Sequence, residues 1–278
     1  MDNRILTSKY FFVFMKRLAI SLLLVGLFIA GSQVFYSCKS SGKGADSANV
    51  DSLAMVDPNN SLTPQEQAEG FVMIFDGKTT AGWRGYNKPA FPDSGWVVED
   101  GALRCVGSGM GEAGGKGGDI IYDKKFKDFD LKLEWKIDSA GNSGIFYFGQ
   151  EIPDEPVWKS ACEMQVLDNI GHLDAKLGKD GNRQAGSLYD LIPAVPQNAK
   201  PVGEWNTAEV IVFQGTVVHF QNGEKVLEYH IGTPDWDKMI KESKFKDFPE
   251  FGKYIEGYIA LQDHGNNVWY RNIKIKAQ

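Results

Sequence analysis

Thiols and imidazoles are scarce in this chain and a net positive charge is lacking, and each of these removes a class of function. Only three cysteines and four histidines occur in 278 residues, and no Cys/Cys or Cys/His spacing matches a zinc site. The formal net charge is −6. A phosphate backbone needs a positive surface, so nucleic acid is excluded as a partner and neutral or cationic small molecules stay open. Internal repeats are missing, and helical periodicity is confined to short stretches near Thr63 and over residues 233–243. The apolar run of residues 18–30 falls short of the about 20 residues that a membrane span needs.

That run is preceded by Lys16 and Arg17 and followed by Phe35-Tyr36-Ser37-Cys38. The layout is that of a secretory signal over residues 1–37, with Met15 a candidate start, and its end resembles the cleavage box of bacterial lipoproteins, whose cysteine becomes the acylated first residue. An uncleaved anchor is the competing reading; the shortness of the run favours cleavage. Removing residues 1–37 takes away Arg4, Lys9, Lys16 and Arg17 against one acid, Asp2, which carries the net charge from −6 to −9. The expected organisation is a signal at 1–37, a Ser/Gly/Asp/Asn-rich tether at 38–61 and one domain at 62–278, lipid-anchored through Cys38 at the cell envelope, in the periplasm or on the cell surface. Cys105 and Cys162 remain, each in an apparent strand, either bonded in an oxidising compartment or as two small buried hydrophobes.

What the domain has in abundance is strand signal. Thr63, Pro64, Glu66 and Gly70 spell a short capped helix, and an apolar strand at 71–75 follows. A hairpin is expected at 96–99 and 102–106 around Asp100-Gly101, and a half-buried strand at 129–137, where Phe129, Leu131, Leu133, Trp135 and Ile137 alternate with charged residues. Further strands fall at 144–148, 161–167, 209–213, 216–221, 225–230, 258–262 and 268–276. Many short strands with hairpin turns predict a sandwich of two antiparallel sheets.

Residues 161–169 organise the reading. Period-2 alternation buries Cys162, Met164 and Val166 and sends Glu163, Gln165 and Leu167 to the other face. That face is either an ordinary solvated strand surface or the floor of a groove presenting a carboxylate as acid or base. Asp168 and His172 follow the strand, and Ala260, Gln262 and His264 share one face of another. Should the strand ends converge, Glu163, Asp168, His172 and His264 would make an acid/base cluster or a carboxylate and imidazole site for a divalent metal. Gly109 to Gly114 fit the dinucleotide glycine pattern but open no helix, so a lid or a hairpin tip is the expectation there. Of the seven tryptophans, Trp96, Trp135 and Trp205 are assigned to the core, Trp83, Trp158 and Trp236 fall in loop-like segments, and Trp158 and Trp236 stand evenly between core packing and stacking on a sugar face.

Several pieces, in order, resemble one family: Phe75-Asp76-Gly77-Lys78, Gly82-Trp83, Val98-Glu99-Asp100-Gly101, Asn142-Ser143-Gly144-Ile145, Glu163-Met164-Gln165-Val166-Leu167-Asp168, Gly186-Ser187-Leu188-Tyr189, Glu204-Trp205-Asn206 and Leu261-Gln262-Asp263-His264-Gly265. The chain from about Leu62 onward is similar to the 3-keto-disaccharide hydrolases. One departure is Tyr147-Phe148-Gly149, where the family carries an Arg-bearing continuation. The resemblance implies a concanavalin-like jelly roll, secretion in sugar-degrading bacteria and cleavage of glycosides oxidised at C3. A C3 carbonyl acidifies the C2 proton, so one base and one electrophile suffice, with a metal or hydrogen-bond donors holding the enediolate oxygens. Glu163 is then expected as base or metal ligand and His264 as acid/base or ligand, with Gln165, Asp168, His172, Trp158, Gln262 and Tyr189 at an oligosaccharide or glycoside. A carbohydrate-binding lipoprotein on the same fold is the alternative, and a two-carboxylate glycosidase a weaker third reading.

Overall fold

The computed structural model describes residues 59–109 and 115–278. The signal, Cys38 and nearly all of the tether lie outside the described residues, as do residues 110–114 at the centre of the glycine-rich stretch. Two antiparallel sheets make a jelly-roll sandwich, as the strand pattern predicts. The eight-stranded sheet runs β11 (Glu224–His230), β10 (Thr216–Gln221), β9 (Asn206–Phe213), β6 (Phe129–Ile137), β13 (Val268–Ala277), β4 (Ala102–Cys105) and β3 (Trp96–Glu99), with β1 (Val72–Met73) also on β13. The five-stranded sheet runs β2 (Trp83–Gly85), β5 (Ile120–Phe126), β12 (Gly257–Leu261), β7 (Asn142–Gly149) and β8 (Cys162–Leu167). Among the described residues no helix is long and apolar enough to cross a membrane.

Alternation decides which faces meet. Phe129, Leu131, Leu133, Trp135 and Ile137 are buried from β6, and Ile145, Tyr147, Met164 and Val166 from β7 and β8. They join one core cluster. Tyr147, at the departure from the family pattern, is fully buried, with its hydroxyl 2.7 Å from His219 Nε2 and 2.6 Å from Tyr229 OH. His219 Nδ1 donates to the Gly186 carbonyl at 3.0 Å, which leaves Nε2 to accept from Tyr147. Burial lowers the His219 pKa to about 4, outweighing that backbone bond, so the ring is neutral. The departure is therefore a core substitution, and its network holds Gly186 in place.

Helix α1 (Pro64–Glu69) carries the expected capping box, Thr63 with Glu66, and ends at Gly70 with φ +86°. The expected strand at 71–75 shrinks to the two residues of β1, because Phe71 turns in beneath the ammonium groups of Lys132 and Lys276, 4.6 and 4.9 Å from its ring. Asn60, placed in the tether by sequence, already belongs to the fold: its side chain donates to the Gly101 carbonyl at 2.8 Å. Strands β2 and β5 are additions to the sequence reading. Cys105 and Cys162 are free and buried, one in each sheet, and burial pushes the Cys162 thiol up to about 12.

The outer face of the five-stranded sheet is not open to water, since every residue of β7 and β8 is buried. One cover is the segment 186–189, which edges β8: Gly186 N donates to Gln165 O, Gln165 N to Ser187 O and Tyr189 N to Glu163 O. These bonds occupy an edge that would otherwise be free to pair. The other cover follows helix α2 (Pro234–Lys241), capped by Thr233. There Trp236 stacks on Tyr229, and Phe245 stacks on Phe251 with centroids 3.8 Å apart. Trp236 is thus core. Trp83 is buried too, whereas Trp205 is only half-buried, its ring under the Arg271 guanidinium at 3.9 Å.

Candidate active site

Strand register brings the predicted face together. Phe146 lies opposite Glu163 and Gly144 opposite Gln165, so Glu163, Gln165, Phe146 and Asn142 share the outer face. Gln262 continues β12 beside them, its N–H donating to Gly144 O at 3.1 Å. The Glu163 carboxylate leans over Gly144: a Cβ there would stand 2.1 Å from Glu163 Oε1. Glycine at 144 is therefore a space requirement of the carboxylate.

A cavity of about 220 Å³ opens over this floor. Its polar wall is Asn142, Gln165, Gln262 and His264 around Glu163, and its apolar wall is Trp158, Ala161, Phe245 and Phe251. Tyr189 and Lys244 complete the lining. Glu163 is 8% exposed and Gln165 1%. Three buried atoms of the polar wall, Asn142 Oδ1, Gln262 Oε1 and His264 Nδ1, have no hydrogen-bond partner. Buried polar atoms are nearly always paired, so three in one pocket mark a place built for a polar ligand. Asn142 Nδ2 lies 3.3 Å from His264 Nε2. An amide nitrogen only donates, so in this arrangement Nε2 accepts and the ring N–H is the unpaired Nδ1.

Six of the eight predicted site residues, Glu163, His264, Gln165, Trp158, Gln262 and Tyr189, line this cavity, and two do not. Asp168 shapes the turn beneath it, accepting N–H bonds from Ala140 at 2.8 Å and Ile170 at 3.0 Å. Burial would raise its pKa, but the backbone N–H groups of Gly171, Ala140 and Ile170 outweigh that and hold the carboxyl low. His172 accepts the Asp174 N–H at 3.1 Å, and its ring meets His264 edge-on with centroids 6.0 Å apart. Burial, and then the neighbouring His264, lower the His172 pKa against the pull of Asp174 and Asp168. Both residues are committed to local structure, and His172 buttresses the His264 ring. Among the described residues no group of three or more His, Cys, Asp or Glu is placed to hold a metal.

Supporting contacts fix the walls. Tyr189 OH donates to Asp174 Oδ2 at 2.8 Å, and Asp174 also accepts Arg183 at 2.7 Å. Burial, followed by the charge of Glu163, pushes the Tyr189 hydroxyl well above its ordinary value, so it is a donor. Asp263, next to His264, accepts from Gly117 N at 3.0 Å, Gly118 N at 3.1 Å and the Cys105 thiol at 3.2 Å. It ties the end of β12 to the glycine-rich stretch. Sequence reasoning missed Lys244, Phe245 and Phe251 as site residues; the Lys-Phe-Lys-Asp-Phe-Pro-Glu-Phe run was the signal, with aromatics too closely spaced for a plain loop.

Against known proteins, the 3-keto-alpha-glucoside-1,2-lyase-like domain matches residues 70–276. The chain belongs to that family. A 3-keto-disaccharide hydrolase of Bacteroides thetaiotaomicron is 52% identical over 238 residues, covering 78% of this chain and 82% of the relative. Among solved structures, a candidate glycosyl hydrolase of Parabacteroides distasonis superposes with a TM-score of 0.70 at 31% identity, over 79% of this chain and 99% of the other. A second from the same organism gives 0.50 at 28%, over 75% and 84%. The resemblance read from the sequence motifs is thus borne out at the level of the 3-keto-alpha-glucoside-1,2-lyase-like family and its sandwich.

Proposed function

We propose that this enzyme cleaves the glycosidic bond of 3-keto-glycosides, with Glu163 as the base that removes the C2 proton. Its family and its 52% identity with a 3-keto-disaccharide hydrolase make it a glycoside-cleaving enzyme; the finer steps rest on the pocket. One observation carries them: Glu163 is the only carboxylic acid among the described residues that line the cavity. Ordinary glycosidases need two, about 5–9.5 Å apart, to attack or protonate an unactivated acetal. A single carboxylate suits a substrate whose own carbonyl supplies the activation.

In this mechanism the Glu163 carboxylate takes the C2 proton, and the electron pair moves into C2–C3 to form an enediolate with charge on the C3 oxygen. That pair then forms C1=C2 as the C1–O bond breaks. The leaving oxygen takes up the proton that Glu163 removed from C2, while the His264 Nδ1–H, which has no partner among the described residues, hydrogen-bonds that oxygen as the C1–O bond breaks. Addition of water across C1=C2 completes a net hydrolysis. Asn142 and Gln262 offer acceptors for sugar hydroxyls, and the Trp158, Phe245 and Phe251 rings suit the C–H faces of the sugars.

The test is purified domain on a 3-keto-glucoside beside its unoxidised parent. Cleavage of the keto sugar alone is expected; equal attack on both would favour a glycosidase, and binding without turnover a lectin. We also propose that Cys38 carries a lipid that holds the enzyme at the cell envelope, supported by the basic, apolar, then Cys layout. Fatty-acid label should enter the wild type and be lost in Cys38→Ser.

A further inference from the structure

The proposed elimination places negative charge on the C3 oxygen, and something positive must meet it. Of the lining residues, Lys244 alone carries a full positive charge independent of histidine protonation. Its setting differs from that of the lysines on the opposite outer face. Lys132, Lys274 and Lys276 each have a carboxylate within 4.0 Å, whereas among the described residues Lys244 has none. Its ammonium rests instead on aromatic faces, 4.1 Å from the Tyr189 ring centroid and 5.2 Å from that of Phe245.

A cation held by ring faces keeps its N–H donors available, while one in a salt bridge has spent them. The base of the side chain is fixed. Ser243 Oγ donates to Ile240 O at 2.8 Å and accepts from Phe245 N at 3.1 Å, and Phe245 is locked by its stack on Phe251. The groups facing Lys244 are Asp190, Glu163 and Asp174, which favour its charge, and Arg183, which opposes it; burial outweighs them and lowers its pKa. The ammonium thus lies within the field of the proposed base.

We propose that Lys244 is a second catalytic residue, whose ammonium binds the C3 oxygen and holds the charge that develops there as Glu163 takes the C2 proton. This rests on the elimination reading given above. No bond to Lys244 is made or broken. The consequence is substrate selection at the transition state: a C3 hydroxyl develops no charge, so the same lysine gives an unoxidised sugar binding without turnover.

The experiment compares wild type, Lys244→Met and Lys244→Arg on a 3-keto-glucoside, with kcat and KM resolved and thermal melts run alongside. Although the Lys244 ammonium is desolvated against the pocket rings, the residue as a whole is exposed and has no salt bridge to lose among the described residues, so both variants should melt with the wild type. Loss of one oxyanion partner costs about 100-fold or more in kcat, and that loss, with KM changed only a few-fold, is expected of Lys244→Met. Lys244→Arg should recover much of it and shift the alkaline limb of the pH profile upward. If wild type turns over and Lys244→Met keeps kcat within threefold, or loses only KM, Lys244 is not the oxyanion partner. A wild-type rate abolished by chelator and restored by a divalent ion would also overturn the proposal, giving the oxyanion to a metal. A wild type inert on the keto sugar would sink the elimination reading itself, a result distinct from the others.

Discussion

The two outer faces of the sandwich both bury charge, and they treat it in opposite ways. On the eight-stranded sheet Lys132 meets Glu209 at 3.5 Å, Lys276 meets Asp130 at 3.7 Å, Arg271 meets Glu134 at 2.7 Å and Lys274 meets Glu66 at 2.6 Å. On the five-stranded sheet Glu163 is surrounded by neutral amides and an imidazole, three atoms of which are unpaired, and the nearby lysine sits on rings. Unpaired atoms elsewhere, such as Asp130 Oδ1 and Gln221 Oε1, do not gather in a cavity of this kind. A face that neutralises itself is finished when folded. A face that leaves donors and acceptors unmatched is completed by a ligand.

Breaking the unfinished face should cost activity and leave the fold alone. The largest effect is expected of Glu163→Gln, which keeps shape but cannot take a proton: turnover should fall by about 100-fold or more while substrate binding persists in calorimetry. Gly144→Ala comes next, since its methyl would occupy the place of Glu163 Oε1. A displacement of about 1 Å costs up to about 100-fold in rate, and Gly144→Ala should approach that in kcat with an unchanged circular dichroism spectrum. Tyr189→Phe removes the bond to Asp174 and frees the ring that carries Lys244. One such hydrogen bond is worth about 1 kcal/mol, so a several-fold fall in kcat/KM is expected.

The finished face should respond in stability only. Burial, and then the adjacent Asp130, push the Glu209 carboxyl up to about 7. The folded protein therefore keeps a proton that the unfolded chain has released, so this contribution is full below the ordinary glutamate pKa of 4.5 and is lost as pH rises through about 7. Glu209→Gln should flatten that part of the melting-temperature profile by a few degrees or less and leave turnover untouched. A changed kcat would mean that the two faces are coupled.

How much of this was legible depended on whether the physics was local. Period-2 alternation fixed which side of β8 carries Glu163 and Gln165, and Thr63, Thr233 and the Asp100-Gly101 turn marked caps and a hairpin. Strand β5 was not picked out, because its exposed Asp-Lys-Lys centre breaks the apolar alternation and reads as loop. Asp168 looked like a site residue because its identity is legible and its partners are not: the backbone N–H groups of Ile170 and Gly171 in the following turn and of Ala140 in the distant turn before β7. Lys244 lies 81 residues after Glu163 in the sequence, and only the packing of Phe245 on Phe251 and of Trp236 on Tyr229 brings it to the pocket.

The central claim is that a bond to C2 hydrogen breaks at Glu163 before or as the glycoside parts. Wild type acting on a 3-keto-glucoside in deuterated water, followed by NMR at C2, tests it most directly. The account predicts deuterium at C2 of the released 3-keto sugar, with no such exchange in Glu163→Gln. Product from the wild type that retains its C2 proton throughout would contradict it.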